Sequence, residues 1–157
     1  MKARLSFFCV GLIILVTVPI VAFADADGFR GINWGTNIST LTDMQLVGTD
    51  PTYGGIKKYS RKNDELKIGA ATLESIEYGF WQGKFSCVMI RIKKYTNFLS
   101  LKDATFEKFG TGFKPNQFME EYAWFGDKTA MLLDYSGVSR TGSLFLFSLA
   151  HLSQFGA

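Results

Sequence analysis

The sequence predicts an antiparallel α+β domain: about seven strands in one sheet, with one short and one longer helix packed on one face, in the order α-ββββ-α-βββ. Short apolar alternations recur along the chain, and tight-turn pairs such as Gln82-Gly83 and Gly126-Asp127 separate them. A stretch of helical length without strand alternation, residues 97–109, stops at Gly110. Hairpin-linked strands with few crossovers favour an antiparallel sheet over βαβ units.

In chain order, Thr36 or Asn37 can cap a short helix over Asn37–Met44, with Ile38, Leu41 and Met44 on one side. Val47–Gly55 reads as loop, because Gly48, Asp50, Pro51, Gly54 and Gly55 punctuate it. Ile56–Arg61 and Glu65–Ala70 flank the polar turn Lys62-Asn63-Asp64 and read as a hairpin. Leu73–Trp81 alternates, and Gln82-Gly83 turns it into Lys84–Lys94, which is apolar on both faces at its start and is expected at the centre of the sheet. Asn97 caps the main helix, whose apolar residues are Phe98, Leu101, Phe106 and Phe109. Phe118–Phe125, Lys128–Tyr135 and Ser143–Leu149 complete the strands, the last two joined by the polar connection Ser136–Gly142. Thr36–Asp43 and Thr96–Asp103 agree at four of eight positions, a weak sign of internal duplication that shared capping chemistry partly explains.

The 157 residues are 47% hydrophobic and 20% charged, the composition of one folded domain. Lys2 and Arg4 precede an apolar run, Leu5–Phe23, that contains Pro19 and ends in Ala22-Phe23-Ala24. This is the layout of a cleaved signal peptide over residues 1–24, followed by a single domain over 25–157. The competing reading is an uncleaved anchor, since about 20 apolar residues span a bilayer. Removing the leader takes away two basic groups and leaves 15 basic against 14 acidic, a net charge of +1. The expected place is the periplasm or outside the cell, with no membrane span after cleavage.

Cys87 is the one cysteine outside the leader, so no internal disulfide can form, and its apolar setting reads as a buried inert thiol. His151 is the single histidine, which leaves no multi-histidine metal site and no Cys-x-x-Cys-His haem attachment. No cofactor is expected. Among the carboxylates, Glu77 beside Tyr78 and Trp81 and Glu121 on a later strand are the candidates for acid/base work, although an alternating strand ordinarily turns such residues to solvent.

Lys57, Lys58, Arg61, Lys62 and Lys67 crowd one hairpin, and Lys84, Arg91, Lys93 and Lys94 line the strand after Gln82-Gly83. Side by side these strands would form a basic strip with Tyr59 and Trp81 as stacking faces, suited to an anionic polymer, a lipid headgroup or an acidic protein. The ordinary alternative is a solvated sheet face whose lysines discourage edge pairing. Trp81 and Phe125, each beside a tight turn, are expected at the surface as contacts for a partner. The candidate binding residues are therefore Trp81, Tyr59, Phe125, Lys57, Lys58, Arg61, Arg91 and Lys93.

Gly28-Phe29-Arg30-Gly31-Ile32-Asn33-Trp34-Gly35-Thr36, with Ser75-Ile76-Glu77-Tyr78-Gly79-Phe80-Trp81, Lys108-Phe109-Gly110 and Tyr122-Ala123-Trp124, resembles a group of small exported bacterial proteins of uncharacterised function. The resemblance covers nearly all of the chain after the leader. It implies a single-domain envelope protein and brings no catalytic residues with it. Gly31 and Gly35 permit unusual backbone angles, and Trp34 can staple the short helix to the sheet.

The expected function is a non-enzymatic interaction module that presents a sheet face or hairpin tips to an envelope protein or anionic polymer. Nucleic acid is disfavoured by the export signal. The alternatives are a small hydrolase or isomerase using Glu77 or Glu121 with a nearby Tyr and Lys, or an inhibitor of a secreted enzyme.

Overall fold

A computed structural model describes residues 25–51 and 55–150 of the chain, so the leader expected over residues 1–24 and His151 lie outside the described residues. The strands are β1 (Gly28–Phe29), β2 (Ile32–Asn33), β3 (Met44–Asp50), β4 (Ile56–Arg61), β5 (Lys67–Ile68), β6 (Ala71–Thr72), β7 (Ser75–Trp81) and β8 (Lys84–Lys93). The helix α1 (Tyr95–Phe109) comes after them, then β9 (Glu120–Phe125), β10 (Thr129–Ser136) and β11 (Thr141–Ser148). Seven strands form one sheet in the order β3-β4-β7-β8-β11-β10-β9, and every neighbouring pair is antiparallel. The chain builds four strands inward, crosses the sheet through α1 to its far edge, and returns by β9, β10 and β11 to pair with β8. The mixed α+β class with an antiparallel sheet is therefore as expected.

The helix count differs, with one α-helix among the described residues instead of two. Asn37 does cap a turn, accepting the Ser39 N–H at 3.0 Å, but the turn is a single 3-10 stretch, Ile38–Thr40, after which Leu41 is extended. Thr40, Leu41 and Thr42 favour extended backbone through two β-branched residues. The chain then enters β3, where loop was expected over 47–55. The register skips Val47 in a bulge, and Gly48 pairs with Lys58 rather than ending the strand. Thr36–Asp43 and Thr96–Asp103 thus take different structures, which removes the case for duplication.

The expected hairpin of 56–61 with 65–70 does not form either, because β4 pairs with β3 and β7. Asp64 in the supposed turn is held by an ion pair with Arg30, and it accepts the Tyr78 hydroxyl at 2.7 Å. Arg30 also donates to the carbonyls of Glu65 and Lys67, both at 2.6 Å. These bonds tie the segment to the β1–β2 arm, and Lys67–Ile68 pairs instead with Ala71–Thr72. Arg30 and Gly31, with φ of 48° and 79°, make the tight turn of that arm.

Residues of alternating parity separate onto the two faces of the sheet. On one face Tyr78, Phe80, Phe85, Val88, Ile90, Ile92, Met131, Leu133, Leu144 and Leu146 meet Phe98 and Leu101 of α1 in the core. Trp34 belongs to this side, stacked on Phe85 at 4.8 Å and donating from Nε1 to Thr129 Oγ1 at 2.7 Å. The helix opens two residues before the expected cap. Lys94 occupies the cap position without a side-chain bond, while Asn97 lies inside α1, donating to Lys93 O and accepting from the Thr72 N–H. Gly110, with φ of 78°, ends the helix as expected. No helix among the described residues is long and apolar enough to cross a membrane.

Candidate functional site

The basic strip foreseen from the sequence is not assembled, because β7 lies between β4 and β8. Three of its cations have acidic partners: Lys58 with Glu77 at 3.7 Å, Arg61 with Asp43, and Lys93 with Glu74. The Arg61 guanidinium holds the exposed Asp43 carboxyl below its ordinary pKa, chiefly through their hydrogen bond. Lys57 shares the core-side face of the sheet with Phe80 and remains exposed, and Arg91 is exposed on the opposite face. Tyr59 packs edge-on against Phe80, with ring centres 5.2 Å apart, so it serves the core rather than a stacking surface. Trp81 is buried, only 8% exposed, where a surface position was expected. Phe125 is exposed at 72%, in line with the expectation. Glu77 is engaged by Lys58, and Glu121 stands opposite Asp134 in the β9–β10 ladder.

A different set of residues converges where the start of α1 meets the end of β10. An open cleft of about 960 Å³ lies between Lys94 and Tyr95 at the start of α1, Phe118 and Met119 ahead of β9, Tyr135 on β10, and Arg140 in the turn before β11. Its size falls within the range of ligand sites. Phe118 is 87% exposed, Met119 53% and Tyr95 45%. The Tyr95 and Tyr135 rings lie 5.2 Å apart and tilted, and both contact the buried ring of Phe98 at 5.7 and 5.1 Å. A rigid aromatic base thus carries an accessible rim.

The cations around this cleft are placed by the backbone. The β8–β11 register sets Lys93 opposite Thr141, which brings the next residues, Lys94 and Arg140, together; the Lys94 N–H donates to Arg140 O at 3.0 Å. Both are non-glycine residues at positive φ, 72° and 56°, a conformation that costs about 1 kcal/mol or more for a side chain with Cβ. Lys102, further along α1, and Lys114, in the loop before β9, reach the same Tyr122 ring, at 5.5 and 5.3 Å. None of Lys94, Lys102, Lys114 and Arg140 makes an ion pair among the described residues. Two acids also line the cleft, each engaged by a hydroxyl: Glu120 accepts from Tyr122 at 2.9 Å, and Asp134 from Ser143 at 2.7 Å. Burial, followed by that bond to Glu120, pushes the Tyr122 hydroxyl up to about 12, so it stays a proton donor.

Lys94 and Arg140, free of ion pairs among the described residues and set beside the exposed rings of Tyr95 and Phe118, can attract and stack a ligand bearing negative charge and flat rings. In the sequence Lys94 belongs to the basic strip after Gln82-Gly83, and no pattern marks Tyr95, Phe118, Tyr135, Lys102, Lys114 or Arg140 for a role. The signal present in the sequence was an exposed-looking Phe118-Met119 after Pro115, together with bases on either side of α1's first turns. No protein-family model, no curated protein and no solved structure matches the chain.

Proposed function

We propose that this chain is an exported, non-enzymatic binding module whose ligand is an acidic polymer laid across the cleft at the start of α1. The observation that supports it is the pair Lys94 and Arg140, without ion-pair partners among the described residues, in a cleft lined by Tyr95, Phe118 and Tyr135, with Lys102 and Lys114 both over the ring of Tyr122. The open shape of the cleft suits a chain passing through better than a small molecule enclosed. Rings set at fixed distances offer stacking without much loss of side-chain freedom on binding. Lys94 and Arg140 keep strained backbone where glycine would be easier, which fits a site that needs their charges.

Calorimetric titration with polygalacturonate tests the reading, with neutral dextran as control. Saturable binding that weakens as salt is raised, and that drops in a Lys102→Gln/Lys114→Gln chain, is expected. Equal affinity for dextran, or no binding of any acidic polymer at low salt, contradicts it. The intact mass of the chain recovered from expressing cells tests export: a start at Asp25 or Asp27 is expected, and a retained leader overturns that part.

A further inference from the structure

The sheet face turned away from α1 carries an apolar field that no element covers among the described residues. The helix, the β1–β2 arm and the β5–β6 hairpin all lie on the other face, as the core membership of Phe98, Ile32 and Ala71 shows. Register across β9, β10, β11, β8 and β7 resolves the open face into rows. One row runs Phe125, Ala130, Phe147, Cys87, Gly79. The next runs Ala123, Leu132, Phe145, Met89, Glu77, and the third Glu121, Asp134, Ser143, Arg91, Ser75. Leu132, Phe145, Phe147 and Met89 are all partly exposed.

The rows are self-complementary about β11. In the third row β10 contributes Asp134 and β8 contributes Arg91, each one strand away from Ser143 on β11. A two-fold axis running along β11, between two sheets packed face to face, keeps each row at its own height and exchanges β10 with β8 and β9 with β7. It sets Asp134 over the second copy's Arg91, Leu132 over its Met89, Phe145 over its own counterpart, and Phe125 over Gly79, which the Cys87 sulfur and Ile56 flank. Arg91 makes no ion pair among the described residues, so the second copy offers it a partner of opposite charge.

We infer that two copies of this chain associate through this face, in register about β11. Five strands about 4.8 Å apart and five residues at about 3.4 Å give a footprint of roughly 400 Å² on each copy. The roughly 800 Å² total is below that of stable interfaces, so the association is weak and reversible and shifts to monomer on dilution. The cleft at the start of α1 shares Asp134 with the third row but not Arg91 or Phe125, so changes at those two residues separate self-association from polymer binding.

Sedimentation velocity on the full chain recovered from expressing cells, over a dilution series, reads the equilibrium. Arg91→Asp sets two acids against each other, Asp134→Arg sets two bases, and each is expected to weaken association by about tenfold or more. The chain carrying both changes restores the pairing with the signs exchanged, and its association returns close to that of the unchanged protein. Phe125→Ser, at an exposed position that leaves the fold unaffected, also weakens it. Melting temperatures of all variants close to the parent exclude unfolding as the cause. A monomer at every concentration, single changes without effect, or a double change that fails to restore association each overturns the inference.

Discussion

Gly79 on β7 stands directly opposite Cys87 on β8, and a Cβ at Gly79 would overlap the Cys87 sulfur and approach Ile56 Cγ2 to 3.1 Å. Two strands close up here only because one partner has no side chain. Gly79→Ala is expected to destabilise the fold by about 1–3 kcal/mol through this overlap. Cys87→Ala in the same chain makes room and recovers more than half of the loss. Urea midpoints of the parent, both single variants and the double variant measure the coupling. An additive result would mean that the sulfur is not what the new methyl meets.

The same thiol makes the fold sensitive to alkali. Burial pushes Cys87 up from its ordinary 9.0 to about 11, so the folded state holds a proton that the unfolded chain gives up first. The stability contributed is complete below the unfolded value and is lost as pH rises through the folded one. Tyr122 adds to the trend at its upper end. Melting temperature should therefore fall between about pH 9 and pH 11, less so in Cys87→Ala. Near neutral pH the native thiol should react with a disulfide reagent only as fast as the chain opens.

Trp81 is a core residue, 8% exposed at the end of β7 and opposite Lys84. Trp81→Ala should cost about 3–5 kcal/mol in chemical denaturation. A partner-contact role for this ring would leave stability unchanged.

Lys94 combines φ of 72° with ψ of 141°, a region that glycine occupies far more readily than lysine. Lys94→Gly should raise stability by about 1 kcal/mol and weaken acidic-polymer binding in the same chain. Opposite signs in a melt and a titration would separate strain kept for binding from strain without consequence.

Local signals found the parts of the fold whose causes are local. The β7–β8 turn uses Gln82 and Gly83 at φ of 47° and 78°, the pattern of a tight hairpin, and Gly110 ends α1 where a glycine was expected to. The first hairpin went astray because Asp64 is held by Arg30, a partner 34 residues away that no alternation records. β3 is hidden because Gly48, normally a break, pairs with Lys58 behind a bulge at Val47. The candidate site depends on β8 pairing with β11, strands separated by α1, β9 and β10, and that pairing alone brings Lys94 to Arg140. Counting bases along β4 and β8 could show neither which ones β7 separates nor which ones acids already hold. Phe125 was legible because a ring beside a tight turn has little to cover it, whereas Trp81, placed by the same reasoning, is buried.

The most direct test of the proposed binding site is residue-resolved: amide chemical-shift changes in the labelled chain during titration with polygalacturonate. The largest shifts are expected at Lys94, Tyr95, Lys102, Lys114, Tyr135 and Arg140, with affinity falling as salt rises. Shifts centred instead on Lys57, Lys58 and Arg61 of β4, or none at saturating polymer, would contradict a ligand site at the start of α1.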